Sequence, residues 1–283
     1  MKYYIIIPAH NEEAFIGLTL QSVISQTVQP KRVIVVDDNS TDKTSEIVNT
    51  FAAKNPFITL IKTTSEAIHL PGSKVILAFN KGLDVLDNNY DVIVKLDADL
   101  ILPENYFETV MDIFAKDPTV GMAGGFAYIE RNEEWILENL TDKDHIRGAF
   151  KAYRKKCFKD IGGLKPAMGW DTVDELLAKY HGWKVVTDAS LTVKHLKPTG
   201  ANYNKAARYK QGEAFYSLGY GFWITAIASA KLSMMKRRPL LFLDYVFGYF
   251  KASSAGKPKL VTPEEAKFIR KYRLSRMTKK LRR

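Results

Sequence analysis

The sequence predicts an α/β fold: a mostly parallel sheet flanked by helices, followed by a helical, basic C-terminal extension. Three observations carry the prediction. Apolar runs at residues 3–8, 32–36, 57–61 and 92–96 alternate with segments of helical period, as buried strands joined by crossover helices do. At 283 residues and 46% hydrophobic content, the chain can bury a sizeable core, as one large domain or as one plus an appendage. Aromatic and basic residues thicken from Ala201 onward, which divides the chain into residues 1–200 and 201–283.

The run 3–8 is too short for a secretory leader, and no cleavage pattern follows it, so it reads as the first strand. Ile16, Leu20, Val23 and Ile24 then share one helical face. The second strand ends in Asp37-Asp38, and Asp42 is placed to cap the helix that runs to about residue 51. A third strand spans 57–61, a helix 75–83 and a fourth strand 92–96. Residues 121–129 read as a strand on the sheet's far side. Gly162-Gly163 opens a loop into a helix at 172–180, which Gly182 ends, and 185–193 is a strand finishing at His195. In the extension, residues 214–230 carry no charge. They reach only the short edge of a membrane span, which needs roughly 20 apolar residues. Residues 239–250 are fewer and are interrupted by Asp244. In-plane contact with a bilayer and packing against the body both fit. Thr262-Pro263-Glu264-Glu265 joins a capping box to a proline at the first helical position, opening a last helix rich in Lys and Arg.

The net charge of +11 is uneven: residues 251–283 hold 12 Lys or Arg against two Glu, and residues 1–250 hold 30 against 29 acidic. The body is no general binder of polyanions, so nucleic acid is not expected as a partner. The tail suits an anionic membrane surface, or else forms a freely solvated helix. One cysteine, Cys157, excludes an intrachain disulfide and reads as a buried small hydrophobe. The expected setting is reducing and cytoplasmic, with the chain peripheral at the inner face of the cell membrane.

Chemistry-bearing residues sit where the strands end. Neither G-x-G-x-x-G nor G-x-x-x-x-G-K-[ST] occurs, so no glycine-rich phosphate cradle is present. The first strand opens instead onto Pro8-Ala9-His10-Asn11-Glu12-Glu13, a turn that offers carbonyls and side chains and suits a nucleobase edge. Its bland alternative is a helix start capped by Asn11. The second strand ends in Asp37-Asp38-Asn39-Ser40, which is either an acceptor for base or ribose or an ordinary polar turn. The fourth ends in Asp97-Ala98-Asp99, carboxylates able to hold a hard divalent cation and leave positions open for a diphosphate. Ligands of open α/β sheets bind beyond such strand ends.

Together these residues resemble the family 2 glycosyltransferases, whose fold is called GT-A. The resemblance rests on Ile5-Ile6-Ile7-Pro8-Ala9-His10-Asn11-Glu12-Glu13, Val35-Val36-Asp37-Asp38-Asn39-Ser40-Thr41-Asp42, Ala78-Phe79-Asn80-Lys81-Gly82-Leu83 and Lys95-Leu96-Asp97-Ala98-Asp99. These motifs stand in the family's order over roughly the first 200 residues. The resemblance implies a donor half at about 1–103 and an acceptor half at about 104–200. Pro8, Ala9 and His10 would line the base pocket, Glu12 and Asn80 would join the donor-binding set, and Asp38 would contact base or ribose. Lys74 would lie near the diphosphate, Asp97 near the sugar-nucleotide, and Asp99 would ligate Mg²⁺ or Mn²⁺. His195 stands where some members supply a further metal ligand. The family's base is the aspartate of a Glu-Asp pair before a helix. Here Trp170 replaces the glutamate and Asp171 keeps the aspartate, with Asp174 or Glu175 as substitutes. Simple helix capping by Asp171 is the alternative.

The resemblance further implies inverting transfer of a sugar from a UDP- or GDP-linked donor to a glycan or lipid-linked acceptor, in surface-glycan or glycolipid assembly. Two rivals remain at this level: a sugar-phosphate nucleotidyltransferase, which would require the missing glycine-rich loop, and a non-enzymatic scaffold at a membrane surface.

Overall fold

The computed structural model describes residues 1–64, 72–138, 144–197 and 209–281. The composition boundary at Ala201 lies outside the described residues. The chain forms two compact units, Met1–Pro166 with Trp170–Thr199, and Ala167–Gly169 with Gly200–Arg283.

The first unit opens β1 (Tyr3–Ala9), α1 (Ile16–Ile24), β2 (Arg32–Asp38), α2 (Thr44–Lys54), β3 (Ile58–Thr63), α3 (Ser73–Asp84) and β4 (Val92–Leu96). These strands lie side by side as β3-β2-β1-β4, all parallel. β1 and β4 are buried along their whole length, as strands inside a parallel layer covered by helices are. α3 packs closely on this layer. A Cβ added at Gly82 would stand 2.6 Å from Ile6 and 2.9 Å from Val36, so the helix comes this near the strands only with glycine there.

The second stretch adds β5 (Leu100–Ile101), α4 (Tyr106–Lys116), β6 (Val120–Arg131), β7 (Glu134–Leu137), β8 (Phe150–Arg154), α5 (Lys155–Asp160), α6 (Trp170–Tyr180) and β9 (Lys184–His195). β8 enters beside β4 in the antiparallel sense, and the sheet continues β8-β6-β9-β5, with β7 hairpinned onto β6. β6 and β9 run parallel, and β5 returns antiparallel on β9. The result is one mixed sheet, parallel from β3 to β4 and of both senses beyond, flanked by helices.

Of these elements, β5, α4, β7, β8 and α5 carried no sequence signal strong enough to place them. β8 shows why. It reads Phe150-Lys151-Ala152-Tyr153-Arg154, yet Lys151 is fully buried, directly across the ladder from buried Lys95 of β4. A lysine inside a core strand breaks the apolar pattern that would announce the strand.

The second unit is helical: α7 (Lys210–Ser217), α8 (Gly221–Met235), α9 (Leu241–Ser254) and α10 (Pro263–Leu281). The uncharged run 214–230 is divided between α7 and α8 by left-handed backbone at Gly219 and Gly221. No helix among the described residues is long and apolar enough to cross a membrane. α10 starts with the capping box read from sequence. Thr262 N donates to Glu265 Oε2 at 2.7 Å, and Glu265 N donates to Thr262 Oγ1 at 3.3 Å. A freely solvated tail is corrected by the rest of α10. Ala266 and Ile269 are buried, Arg270 donates to the carbonyl of Gly219 at 3.1 Å, and Arg273 donates to Tyr220 Oη at 2.6 Å.

Candidate active site

The first group of candidates stands at the carboxyl ends of β1 and β2, and much of its sequence serves the loops themselves. Asn11 and Asn39 both adopt left-handed backbone, which asparagine tolerates better than most residues. That overturns Asn11 as a helix cap, since α1 begins only at Ile16. Asn11 instead ties the two loops together: its Oδ1 accepts from Thr41 N at 2.8 Å, and its N donates to Ser40 Oγ at 2.9 Å. Asp42 accepts from Glu13 N at 3.0 Å and Thr44 N at 2.9 Å, and these bonds outweigh burial and hold its carboxyl below the usual range. Asp37 is engaged by Ser40 N at 3.0 Å and by Ser45 Oγ. His10 Nδ1 donates to the carbonyl of Asp38 at 2.7 Å, fixing the ring of an exposed histidine at the strand end. Pro8 and Ala9 are buried in β1, paired with Val36 and Asp37.

Glu12 differs from these. Its Oε1 accepts from Lys197 at 3.0 Å, while its Oε2 is buried with no hydrogen-bond partner. Burial raises its pKa, and the charges of Asp99 and Asp97 add to that, against Lys197. A buried carboxylate oxygen without a donor is costly unless something brings it one.

The Asp97-Ala98-Asp99 turn is braced from two sides. Thr19 of α1 donates to the carbonyl of Ala98 at 2.8 Å and accepts from Leu100 N at 3.0 Å. Asp97 N donates to the carbonyl of Ala149 at 2.7 Å. The short strand β5 then pairs Leu100 with His195, and this register sets His195 Nε2 3.4 Å from Asp99 Oδ2. The other ring nitrogen, Nδ1, lies 3.3 Å from Glu138 Oε2, and Glu138 itself pairs with Arg147 at 3.1 Å. Burial opposes protonation of His195, but the hydrogen bonds and charges of Asp99 and Glu138 prevail and raise its pKa to about 9. Asp97 is held above the usual carboxylate range by burial, against the ion pair with Lys95 and with Asp99 adding to the rise.

These residues fit a divalent cation. Asp99 Oδ2 and His195 Nε2 are close enough to touch one ion at about 2.1 Å each. Glu138 would orient the imidazole from behind, as carboxylates do for ligating histidines. Among the described residues no group of three or more candidate ligands gathers, so the protein side would be sparse and the remaining positions open to phosphate oxygens and water.

Asp171 stands in the first turn of α6, inside the helix and not at its cap. Its side chain is 35% exposed and lies 3.7 Å from His145 Nε2, whose Nδ1 is 3.1 Å from Glu175 Oε1. Burial would raise the Asp171 pKa, but the His145 hydrogen bond and the Lys151 charge lower it overall. His145, despite burial, is raised to about 9 by Asp171 and Glu175. Asp174 and Glu175 are spent elsewhere. Both are buried and ion-paired with Lys151 at 3.1 Å; Asp174 also accepts from Tyr153 Oη at 2.6 Å, and Glu175 from Ile146 N at 2.9 Å. Trp170 occupies the glutamate position for a packing reason. Its ring lies under the ammonium groups of Lys95, at 5.2 Å, and Lys151, at 6.0 Å.

The fold thus gathers Pro8, Ala9, His10, Glu12, Asp38, Asp97, Asp99 and His195 at the strand ends. It separates Lys74, in the first turn of α3, from Asn80 about 9 Å further along that helix. Sequence reasoning missed Glu138, His145, Arg147 and Lys197. They lie in short segments without periodicity, so only the tertiary fold gives them partners.

Residues 4–164 match the family model described as Glycosyl transferase family 2. A probable glycosyltransferase of Bacillus subtilis, YdaM, is 39% identical over 100 residues, covering 35% of this chain and 23% of that protein. The poly-beta-1,6-N-acetyl-D-glucosamine synthase of Staphylococcus epidermidis is 25% identical over 186 residues, covering 59% of this chain and 41% of the synthase. The chain therefore spans less than half the length of these curated relatives. In fold it is similar to the Pyrobaculum calidifontis mannosyltransferase PcManGT, solved with GDP-Man and Mn²⁺. The TM-score is 0.59 at 18% identity, over 95% of this chain and 78% of the other. With the family model spanning more than half its length, the chain belongs to glycosyl transferase family 2.

Proposed function

We propose that this glycosyltransferase transfers a sugar, with inversion and with help from a divalent cation, from a UDP- or GDP-linked donor to a glycan or lipid-linked acceptor. The observation that carries the reading is the Asp99–His195 pair, 3.4 Å apart at the sheet's carboxyl edge, with Glu138 behind the imidazole. The glycan synthases among the relatives support surface-glycan assembly as the setting. Glycosyl transfer sets aside the nucleotidyltransferase and the inert scaffold as alternatives.

Each residue then has a task. Pro8, Ala9, His10 and Asp38 line the base and ribose, and Glu12 offers its unpartnered Oε2 to a donor group of the nucleoside. Lys74 and Asn80 remain assigned to the donor, Lys74 toward the diphosphate. Asp99 and His195 would hold Mg²⁺ or Mn²⁺, for which His195 would have to be neutral at Nε2. A bound cation would neutralise charge growing on the diphosphate leaving group. Asp97, kept in place by Lys95, faces the sugar-nucleotide. Asp171 accepts the acceptor hydroxyl proton, and His145 holds it ionised and aimed. Attack from the side opposite the leaving group inverts the anomeric centre.

Titration calorimetry with UDP and with GDP tests the donor half. One nucleotide should bind in the presence of Mn²⁺ and lose about tenfold or more in affinity with chelator or in Asp99→Asn. Equal affinity under all three conditions contradicts the assignment of Asp99.

A further inference from the structure

α8 and α9 pack against each other within the second unit, yet each leaves an apolar face in water. On α8 it is Trp223, Ile227 and Met234, one side of a helix at intervals of 4 and 7 residues. On α9 it is Leu243, Phe247 and Phe250, at intervals of 4 and 3. Trp223 is 75% exposed and Met234 78%, values that belong to a solvent-facing lysine and not to a large apolar side chain. The rings of Phe222 and Phe250 meet at 5.5 Å, which joins the end of one face to the start of the other. Large apolar side chains exposed together in this way, on neighbouring helices, mark an interaction surface and not the scattered single hydrophobes of an ordinary exterior.

The charges around this face name its occupant. Lys231, Lys236, Arg237, Arg238 and Lys251 are all exposed along and between the two helices. The single acidic residue between Ala214 and Thr262 is Asp244, and it is buried. A protein partner would be expected to answer a patch of this size with mixed charges; an apolar face rimmed by cations alone, with tryptophan and phenylalanine at its border, is the pattern of a helix lying in a lipid headgroup layer. Neither helix is a span, so insertion is limited to the depth of the side chains.

We infer that the α8–α9 face is a membrane-docking surface that seats the enzyme on an anionic bilayer, with Trp223, Phe247 and Phe250 entering the acyl boundary and the 236–238 cations contacting lipid phosphates. This differs from attraction by the C-terminal tail, because two of the cations of α10 are turned inward onto Gly219 and Tyr220. It does not rest on the donor-site reading.

Co-sedimentation of the full chain with phosphatidylcholine vesicles, and with vesicles also containing phosphatidylglycerol, tests it. The wild type should bind the anionic vesicles, and more weakly as salt rises, since exposed charges are screened over about 8 Å at physiological ionic strength. Trp223→Ser with Phe247→Ser should cut that binding roughly tenfold or more at every salt concentration. Lys236→Glu with Arg237→Glu and Arg238→Glu should abolish the preference for anionic vesicles. Far-UV circular dichroism and nucleotide titration on the same samples show whether both variants remain folded and whether the donor site is intact, so the two readings fail separately. Equal sedimentation of wild type and the Trp223–Phe247 variant overturns the proposal. So does a stable dimer, seen by analytical ultracentrifugation, that the same two substitutions dissociate, because the face would then cover a second copy.

Discussion

Asp171 and its partner His145 concentrate the residue-scale argument. Asp171→Asn keeps the shape of the side chain and removes its basicity, so turnover should fall by about 10²–10⁴-fold while nucleotide affinity stays near wild type. Steady-state kinetics beside a donor titration measure both, and wild-type turnover would move the base elsewhere. Asp174 and Glu175 are poor replacements, since Lys151 already holds them. His145 gives a pH signature. Its pKa is about 9 in the fold against about 6.5 when unfolded. The folded state therefore binds its proton more tightly. The stabilisation is fully present below about pH 6.5 and is lost as pH rises through about 9, amounting to no more than about 3 kcal/mol. Denaturant unfolding of His145→Gln should show its largest deficit against wild type near pH 6 and the smallest near pH 9.5. A deficit independent of pH would mean that the imidazole is held by packing alone. Trp170 shows what sequence could not say. The substitution of the expected glutamate looked like damage to a motif, but buried Lys95 and Lys151 meet its ring, and no local pattern announces a pair of lysines facing each other inside a sheet.

At the scale of elements, strands that the sequence marks by unbroken apolar runs came out nearly at their expected bounds: β4 at Val92–Leu96, and β1 extended by Ala9 alone. The reason is burial on both faces, which writes hydrophobicity into consecutive residues. β2 runs on to Asp38 because the parallel ladder with β1 and β3 continues through the two aspartates. The elements that escaped are those whose burial is negotiated by ion pairs, as in β8, or those too short to show a period, as in β5. β5 matters most despite its two residues, since its pairing brings His195 to Asp99. The Asn80-Lys81-Gly82 motif has an architectural component at Gly82. Gly82→Ala would force α3 off Ile6 and Val36, and overpacking of this kind costs about 1–3 kcal/mol. A thermal unfolding midpoint lowered by several degrees, with the nucleotide still bound at saturating concentration, is the expected result. An unchanged midpoint would show that α3 can move without strain.

At the scale of the whole molecule, the family and the fold were legible because three of the four motifs fall at strand ends, where a parallel sheet gathers them, and the fourth lies in α3, which packs on the same strands. The second unit was legible only as helices and charge. Which faces those helices leave exposed is decided by packing that no single helix period contains. The central claim is a cation-assisted inverting transfer built on Asp99, His195 and Asp171. A proton-NMR time course of sugar-nucleotide turnover, run with a panel of UDP- and GDP-sugars and Mn²⁺, tests it most directly. The account predicts that one class of donor releases its nucleoside diphosphate, that the sugar first appears with the anomeric configuration opposite to the donor's, and that Asp99→Asn suppresses the signal. A first product of retained configuration, turnover indifferent to Asp99→Asn, or no turnover of any donor in the panel would contradict it.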